Sequence, residues 1–141
     1  MIFDYDETLV EGQTPNRESL SAFYKRNTFF KNLFYKKTNL VKLAKEEKAK
    51  GNIICICTAR EYRNWFKVVL FLKGIPCDIL IQRDFGDETP SGLLKKKQLM
   101  QLILENNSLI MLAKEFYDDS EDNLKEVAKL GIQTFDAREL I

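Results

Sequence analysis

At 141 residues, 45% hydrophobic and 30% charged, the chain has the size and make-up of one ordinary globular domain, which excludes disordered and membrane-embedded classes. Its 22 Lys plus Arg against 21 Asp plus Glu leave a net charge of +1, so overall charge gives no pull toward nucleic acid. Three cysteines (Cys55, Cys57, Cys77) without metal-pair spacing, and no histidine, argue against zinc and disulfides and for a reducing, cytoplasmic compartment.

The chain opens on Met1-Ile2-Phe3 running straight into Asp4-Tyr5-Asp6-Glu7-Thr8. Two acids two apart on an extended backbone share a face, which predicts Asp4 and Asp6 pointing together at the tip of a strand. Such a pair is either a solvated turn or a site where a hard cation such as Mg²⁺ cancels the repulsion. Only three residues precede the acids, so this strand is short or has further residues upstream. After a polar connector over 11–15, Leu20, Phe23, Phe30, Leu33 and Phe34 recur at helical spacing and predict a helix over 16–37. Its crowd of lysines reads as a wet helix face rather than a phosphate track. A second helix is predicted from Asn39 to Lys50, with Leu40, Leu43 and Ala44 inward and Gly51 as its stop.

Ile53 to Cys57 is a continuous β-branched and apolar run, expected of a parallel strand covered on both sides and ending at Thr58-Ala59-Arg60. A helix over 61–73 follows, then a strand over 78–81, a polar loop over 82–92 and a helix over 93–104. A fourth strand over 114–117 leads into Asp118-Asp119-Ser120-Glu121-Asp122-Asn123, followed by a helix to Gly131 and a fifth strand over 132–135. The alternation predicts an α/β fold, a parallel five-stranded sheet with right-handed crossovers and helices on both faces, within a single domain over 1–141. In such sheets ligands sit beyond the carboxyl ends of the strands, where Asp4, Asp6, Thr58, Asp118 and Asp119 all fall. No apolar run reaches about 18 residues and no signal peptide opens the chain, so nothing points to a membrane or to export.

In this order, Asp4-Tyr5-Asp6-Glu7-Thr8, Thr58, a lysine at the start of the following helical unit, and Asp118-Asp119 resemble the four motifs of the haloacid dehalogenase superfamily of phosphatases, over nearly the whole chain. The resemblance implies a Rossmann-like sheet with a minimal cap or none, a small helical lid within 11–38 being the alternative. It also implies a phosphoaspartate mechanism. Asp4 would be the nucleophile and Asp6 the acid and then the base. Thr58 and a lysine would hold the phosphate; consecutive helical residues point about 100° apart, so only one or two of Lys95, Lys96 and Lys97 can face the site, and Lys95 is favoured. Mg²⁺ would be held by Asp4, the Asp6 carbonyl and Asp119, with Asp118 beside them and Asn123 behind.

Within that superfamily, Gln82-Arg83-Asp84-Phe85-Gly86-Asp87 and Thr58-Ala59-Arg60 look like the phosphatase half of the phage-type polynucleotide kinase/phosphatases. That points to a nucleic-acid end or a nucleotide 3′-phosphate as substrate, with Arg60 and Arg83 either gripping it or pinned to a loop carboxylate. The chain departs from the pattern in lacking a kinase domain and in carrying Glu88-Thr89-Pro90-Ser91 where basic residues are expected. The alternatives are a small-metabolite or 5′-nucleotide phosphatase and, from another class, a non-catalytic phosphoacceptor or binding module.

Overall fold

The computed structural model describes residues 1–11, 28–105 and 115–140. Five parallel strands lie side by side in the order β3-β2-β1-β4-β5: β1 Ile2–Phe3, β2 Cys55–Glu61, β3 Ile79–Arg83, β4 Glu115–Asp118 and β5 Gln133–Asp136. Around them are helices α1 Phe29–Phe34, α2 Leu40–Ala49, α3 Phe66–Leu72, α4 Ser91–Glu105 and α5 Glu121–Ala128. This is the Rossmann-like α/β arrangement predicted from the alternation. The predicted 16–37 helix falls partly outside the described residues. Its described part is shorter than expected, and Phe30 and Phe34 stand in water at 69% and 80% exposure. Most of the 11–38 stretch expected as a lid lies outside the described residues. No described helix is long and apolar enough to cross a membrane.

The period of two along each strand divides the core. Ile2 pairs with Cys55 and Phe116, and all three face the side covered by Leu99 of α4 and Val127 of α5. Phe3 pairs with Ile56 and Tyr117 and faces Leu40, Val41 and Ala44 of α2 with Phe66 and Leu70 of α3. Stacked rings continue that layer across the sheet, Phe3 on Tyr117 and Tyr117 on Phe135, each pair 4.9 Å between centroids. β1 is only two residues long, yet it is fully buried because β2 and β4 flank it and helices cover both faces.

Two strands run longer, and one helix starts later, than predicted. β2 continues through Thr58-Ala59-Arg60 to Glu61, with its pairing to β3 shifting register between Cys57 and Glu61. β3 takes in Gln82 and Arg83, assigned to a loop from sequence, and α3 starts at Phe66 rather than Glu61. The strand order reverses between β1 and β4, so the crevice that such a reversal opens lies over the ends of those two strands.

Asp78 ties three elements together just before β3. It accepts a hydrogen bond from the Ile54 amide at 2.9 Å and one from Lys48 Nζ at 2.5 Å. The Lys48 bond first, and the amide second, hold its carboxyl below the usual range. Asp78→Asn is expected to lower stability by about 1 kcal/mol near neutral pH. A depressed folded pKa gives stability that is present above the unfolded value of about 3.9 and lost as pH falls through the folded one. The gap between wild type and variant in urea unfolding should therefore narrow below about pH 4; an equal gap at pH 7 and in acid contradicts this.

Candidate active site

Asp4 follows β1 directly, and its amide donates to Tyr117 O at 2.8 Å, which extends the pairing with β4 by one residue. The chain then leaves the extended conformation. The Tyr5 carbonyl accepts from the amides of Thr8, Leu9 and Val10 at 3.4, 3.0 and 3.2 Å, and Glu7 takes a left-handed φ of 57°. That region is costly for a side chain with a Cβ and concentrates at functional turns. The expectation that Asp4 and Asp6 share a strand face is therefore corrected. The strand ends before Tyr5, and the two carboxylates have different partners.

Asp4 Oδ1 accepts from Lys95 Nζ, and Asp4 Oδ2 from Thr8 Oγ1 at 3.3 Å. The same ammonium donates to Asp118 Oδ2 at 2.6 Å. Of the three consecutive lysines, α4 turns Lys95 inward to 1% exposure and sends Lys97 out to Asp87, 3.9 Å away. Asp118, the last residue of β4, is fully buried and also accepts from Asn123 Nδ2 and the Ser120 amide, each at 2.9 Å. Those donors come from the first turn of α5, which Ser120 caps by accepting from the Asn123 amide at 3.4 Å.

Asp119 completes the cluster. Asp4, Asp118 and Asp119 each offer a carboxylate oxygen, and the three oxygens lie within 4.8 Å of one another. Burial pushes the Asp4 carboxyl up, helped by the charge of Asp118 and opposed by Lys95. Burial, then Asp118, raises Asp119 to about 7. Lys95 is penalised by its own burial, but Asp118 and Asp4 overcome this and hold it above the usual lysine range. Three carboxylates against one ammonium leave the cluster with too much negative charge, and the Asn123 Oδ1 acceptor beside it is buried without a partner. Oxygen donors, surplus negative charge and an orphaned acceptor fit a hard divalent cation such as Mg²⁺.

Asp6 has a partner of its own, though it stays close enough for its charge to act on Asp4. Arg60 Nε donates to its Oδ2 at 2.8 Å and Arg60 Nη2 to its Oδ1 at 2.5 Å, a two-pronged grip. The guanidinium, 1% exposed, lies between the rings of Tyr5 and Tyr35, 5.5 Å from each centroid. Thr58 is buried in the irregular part of β2, where its Oγ1 accepts from the Arg60 amide at 3.1 Å. Arg83 is also buried; it donates to the main-chain carbonyls of Ala59, Asp87 and Thr89 at 2.8, 2.8 and 2.6 Å. Of the two alternatives the sequence left open, Arg60 takes the pairing with a carboxylate, whereas Arg83 meets main-chain carbonyls rather than the Asp84 or Asp87 carboxylates. One arginine fixes a carboxylate and the other fixes a loop. The sequence carried no signal for the Arg60 pair with Asp6 beyond the charges themselves, because the two residues meet only through the topology.

Several solved structures share this fold. One, described as the Pnkp1/Rnl/Hen1 complex, has a TM-score of 0.72 and 22% identity over 96% of this chain. Another, of the Pnkp1/Rnl/Hen1 RNA repair complex, has a TM-score of 0.72 and 23% identity, also over 96%. The chain spans 44% and 40% of those neighbours' length. Neither a protein-family model nor a curated protein sequence matches the chain.

Proposed function

We propose that the protein is a Mg²⁺-dependent phosphomonoesterase of the haloacid dehalogenase type that removes a terminal phosphate, a 3′-phosphate foremost, from a polynucleotide or nucleotide. The observation that carries this reading is the gathering of Asp4, Lys95, Asp118 and Asp119 at the reversal of strand order. Residues 91 positions apart meet there, buried, with a surplus of acid that gives nothing to stability by itself. The likeness in fold to a chain of an RNA repair complex supports a nucleic-acid end as the substrate.

Asp4, Asp118 and Asp119 would hold the ion, with Asn123 oriented behind them. When bound, Mg²⁺ supplies positive charge against the repulsion between a carboxylate and a phosphate. Asp4 attacks phosphorus, so that an aspartyl phosphate, a mixed anhydride, forms as the bond to the leaving oxygen breaks. Asp6 gives that oxygen its proton, then takes one from the water that releases phosphate and restores Asp4. Lys95 keeps Asp4 aimed and Asp118 ionised, and Arg60 sets the orientation from which Asp6 works.

Phosphate release from p-nitrophenyl phosphate with and without Mg²⁺ tests the reaction class. Substitution of a covalent nucleophile commonly costs several orders of magnitude, so Asp4→Asn should lose at least about 10³-fold. A 3′-phosphorylated oligonucleotide compared with 3′- and 5′-mononucleotides tests the substrate. Equal efficiency on all three contradicts the polynucleotide assignment.

A further inference from the structure

Phe85 stands almost entirely in water, 82% exposed, on the turn Asp84-Phe85-Gly86-Asp87. The Asp87 amide closes that turn on Asp84 O at 3.1 Å, and Gly86 takes the left-handed φ of 80° that its third position requires. The turn is fixed from below. Arg83, 3% exposed, grips Asp87 O, Thr89 O and Ala59 O, and the Gly86 amide donates to Glu61 Oε2 at 3.4 Å. A buried arginine is thus spent on holding a turn whose central side chain, among the described residues, is left largely uncovered. Exposed turns more commonly carry small polar residues, and a rigid aromatic in such a place is suited to contact with a ligand.

Tyr62, 54% exposed, is held by the same arginine through its amide bond to Arg83 O at 2.7 Å. Both residues thus follow closely on the carboxyl ends of β2 and β3, the rim at which Asp4 follows β1. Adjacent strands lie about 4.8 Å apart, which puts β3 about 10 Å to one side of β1. That is the reach from a terminal phosphate to a base one or two nucleotides inward. A cleft of about 670 Å³ opens beside the turn, lined by Tyr62, Lys67, Gln82 and Lys97 among others. Its charges balance, Arg63, Lys67 and Lys97 against Asp84, Asp87 and Glu105, so what this rim offers a strand is stacking on exposed rings rather than net charge.

We infer that Tyr62 and Phe85 form an aromatic platform on which bases of a single-stranded nucleic acid stack while its phosphorylated end reaches Asp4. Stacking on an aromatic face is tolerant of sequence, because every base has one. The inference rests on the phosphatase reading above and adds to it the part of the substrate that is recognised.

The test compares kcat/KM on a 3′-phosphorylated oligothymidylate with kcat/KM on p-nitrophenyl phosphate, which offers no strand to stack. In Phe85→Ala the ratio should fall about tenfold, in Tyr62→Ala by a similar factor, and in Phe85→Tyr it should recover. An unmoved ratio overturns the platform, as does a fall that Phe85→Tyr fails to restore. A binding measurement separates this from the chemistry. An oligonucleotide carrying 2-aminopurine beside its 3′-phosphate, added to Asp4→Asn protein, should lose fluorescence by stacking, and Phe85→Ala in that background should weaken binding about tenfold. Quenching without any hydrolysis by wild type would sink the phosphatase reading and leave the platform standing. Hydrolysis of both substrates with no quenching would do the reverse.

Discussion

Replacing Lys95 with methionine is expected to lower the stability of the metal-free protein by about 3–5 kcal/mol, a large part of the roughly 5–15 kcal/mol typical of a domain. The methionine fills the space, so the loss is electrostatic. Lys95 supplies the ammonium shared by Asp4 and Asp118, both at most 5% exposed. Without it, Asp118 retains Asn123 and the Ser120 amide, whereas Asp4 retains the Thr8 hydroxyl at 3.3 Å. Those acids would then take up protons, so the deficit should shrink as pH is lowered. Lys96→Met and Lys97→Met, on the outer side of the same helix, should each stay within about 0.5 kcal/mol of wild type. Urea unfolding of the three variants checks the ordering; equal stabilities would mean that the buried ion pairs do not hold the site together.

Addition of Mg²⁺ should raise the melting temperature of the wild-type protein, and the rise should grow with pH. At a concentration of about 100 times the dissociation constant, binding to the folded state alone is worth about 2.7 kcal/mol, or roughly 10 °C for a domain of this size. The sign with pH follows from Asp119, whose carboxyl burial and Asp118 raise to about 7. A raised folded pKa means that the metal-free folded state holds a proton the unfolded chain has already lost. Stability from that proton is complete below the unfolded value near 3.9 and disappears as pH rises through about 7. Mg²⁺ replaces the proton, so its stabilisation should be small at pH 5.5 and largest above pH 7.5. Asp119→Asn removes both the repulsion and a ligand. It should make the metal-free protein more stable than wild type at pH 8 while losing most of the Mg²⁺-induced rise. A full rise in that variant contradicts the assignment of Asp119 to the ion.

Much of this architecture was legible from spacing alone. Apolar runs such as Ile53 to Cys57, alternating with amphipathic stretches, specify parallel strands and crossovers, and crossovers place the residues after each strand on one rim. Helix geometry limited the choice among Lys95, Lys96 and Lys97 to one or two, but which of them turns inward is decided by how α4 packs on the sheet. The rest depended on events that spacing does not encode. Asp4 and Asp6 part company because the Tyr5 carbonyl collects three amides and ends the strand, which a period-two reading assumes continues. Arg60 and Arg83 carry side chains long enough to reach several partners, and only the folded topology decides that one meets Asp6 and the other three carbonyls. Thr58 lies inside β2 because the ladder with β3 shifts register there, a local irregularity with no Gly or Pro to announce it.

The central claim is that Asp4 forms a covalent bond to phosphorus. Asp6→Asn protein mixed with p-nitrophenyl phosphate and Mg²⁺, quenched in acid and analysed by peptide mass spectrometry, tests it most directly. The leaving group there needs little help from an acid, whereas the second step still lacks its base, so the intermediate should accumulate. The account predicts one phosphoryl group on the peptide containing Asp4, absent when Asp4→Asn is added. A phosphoryl group on another residue, or turnover with none trapped on the chain, would contradict it.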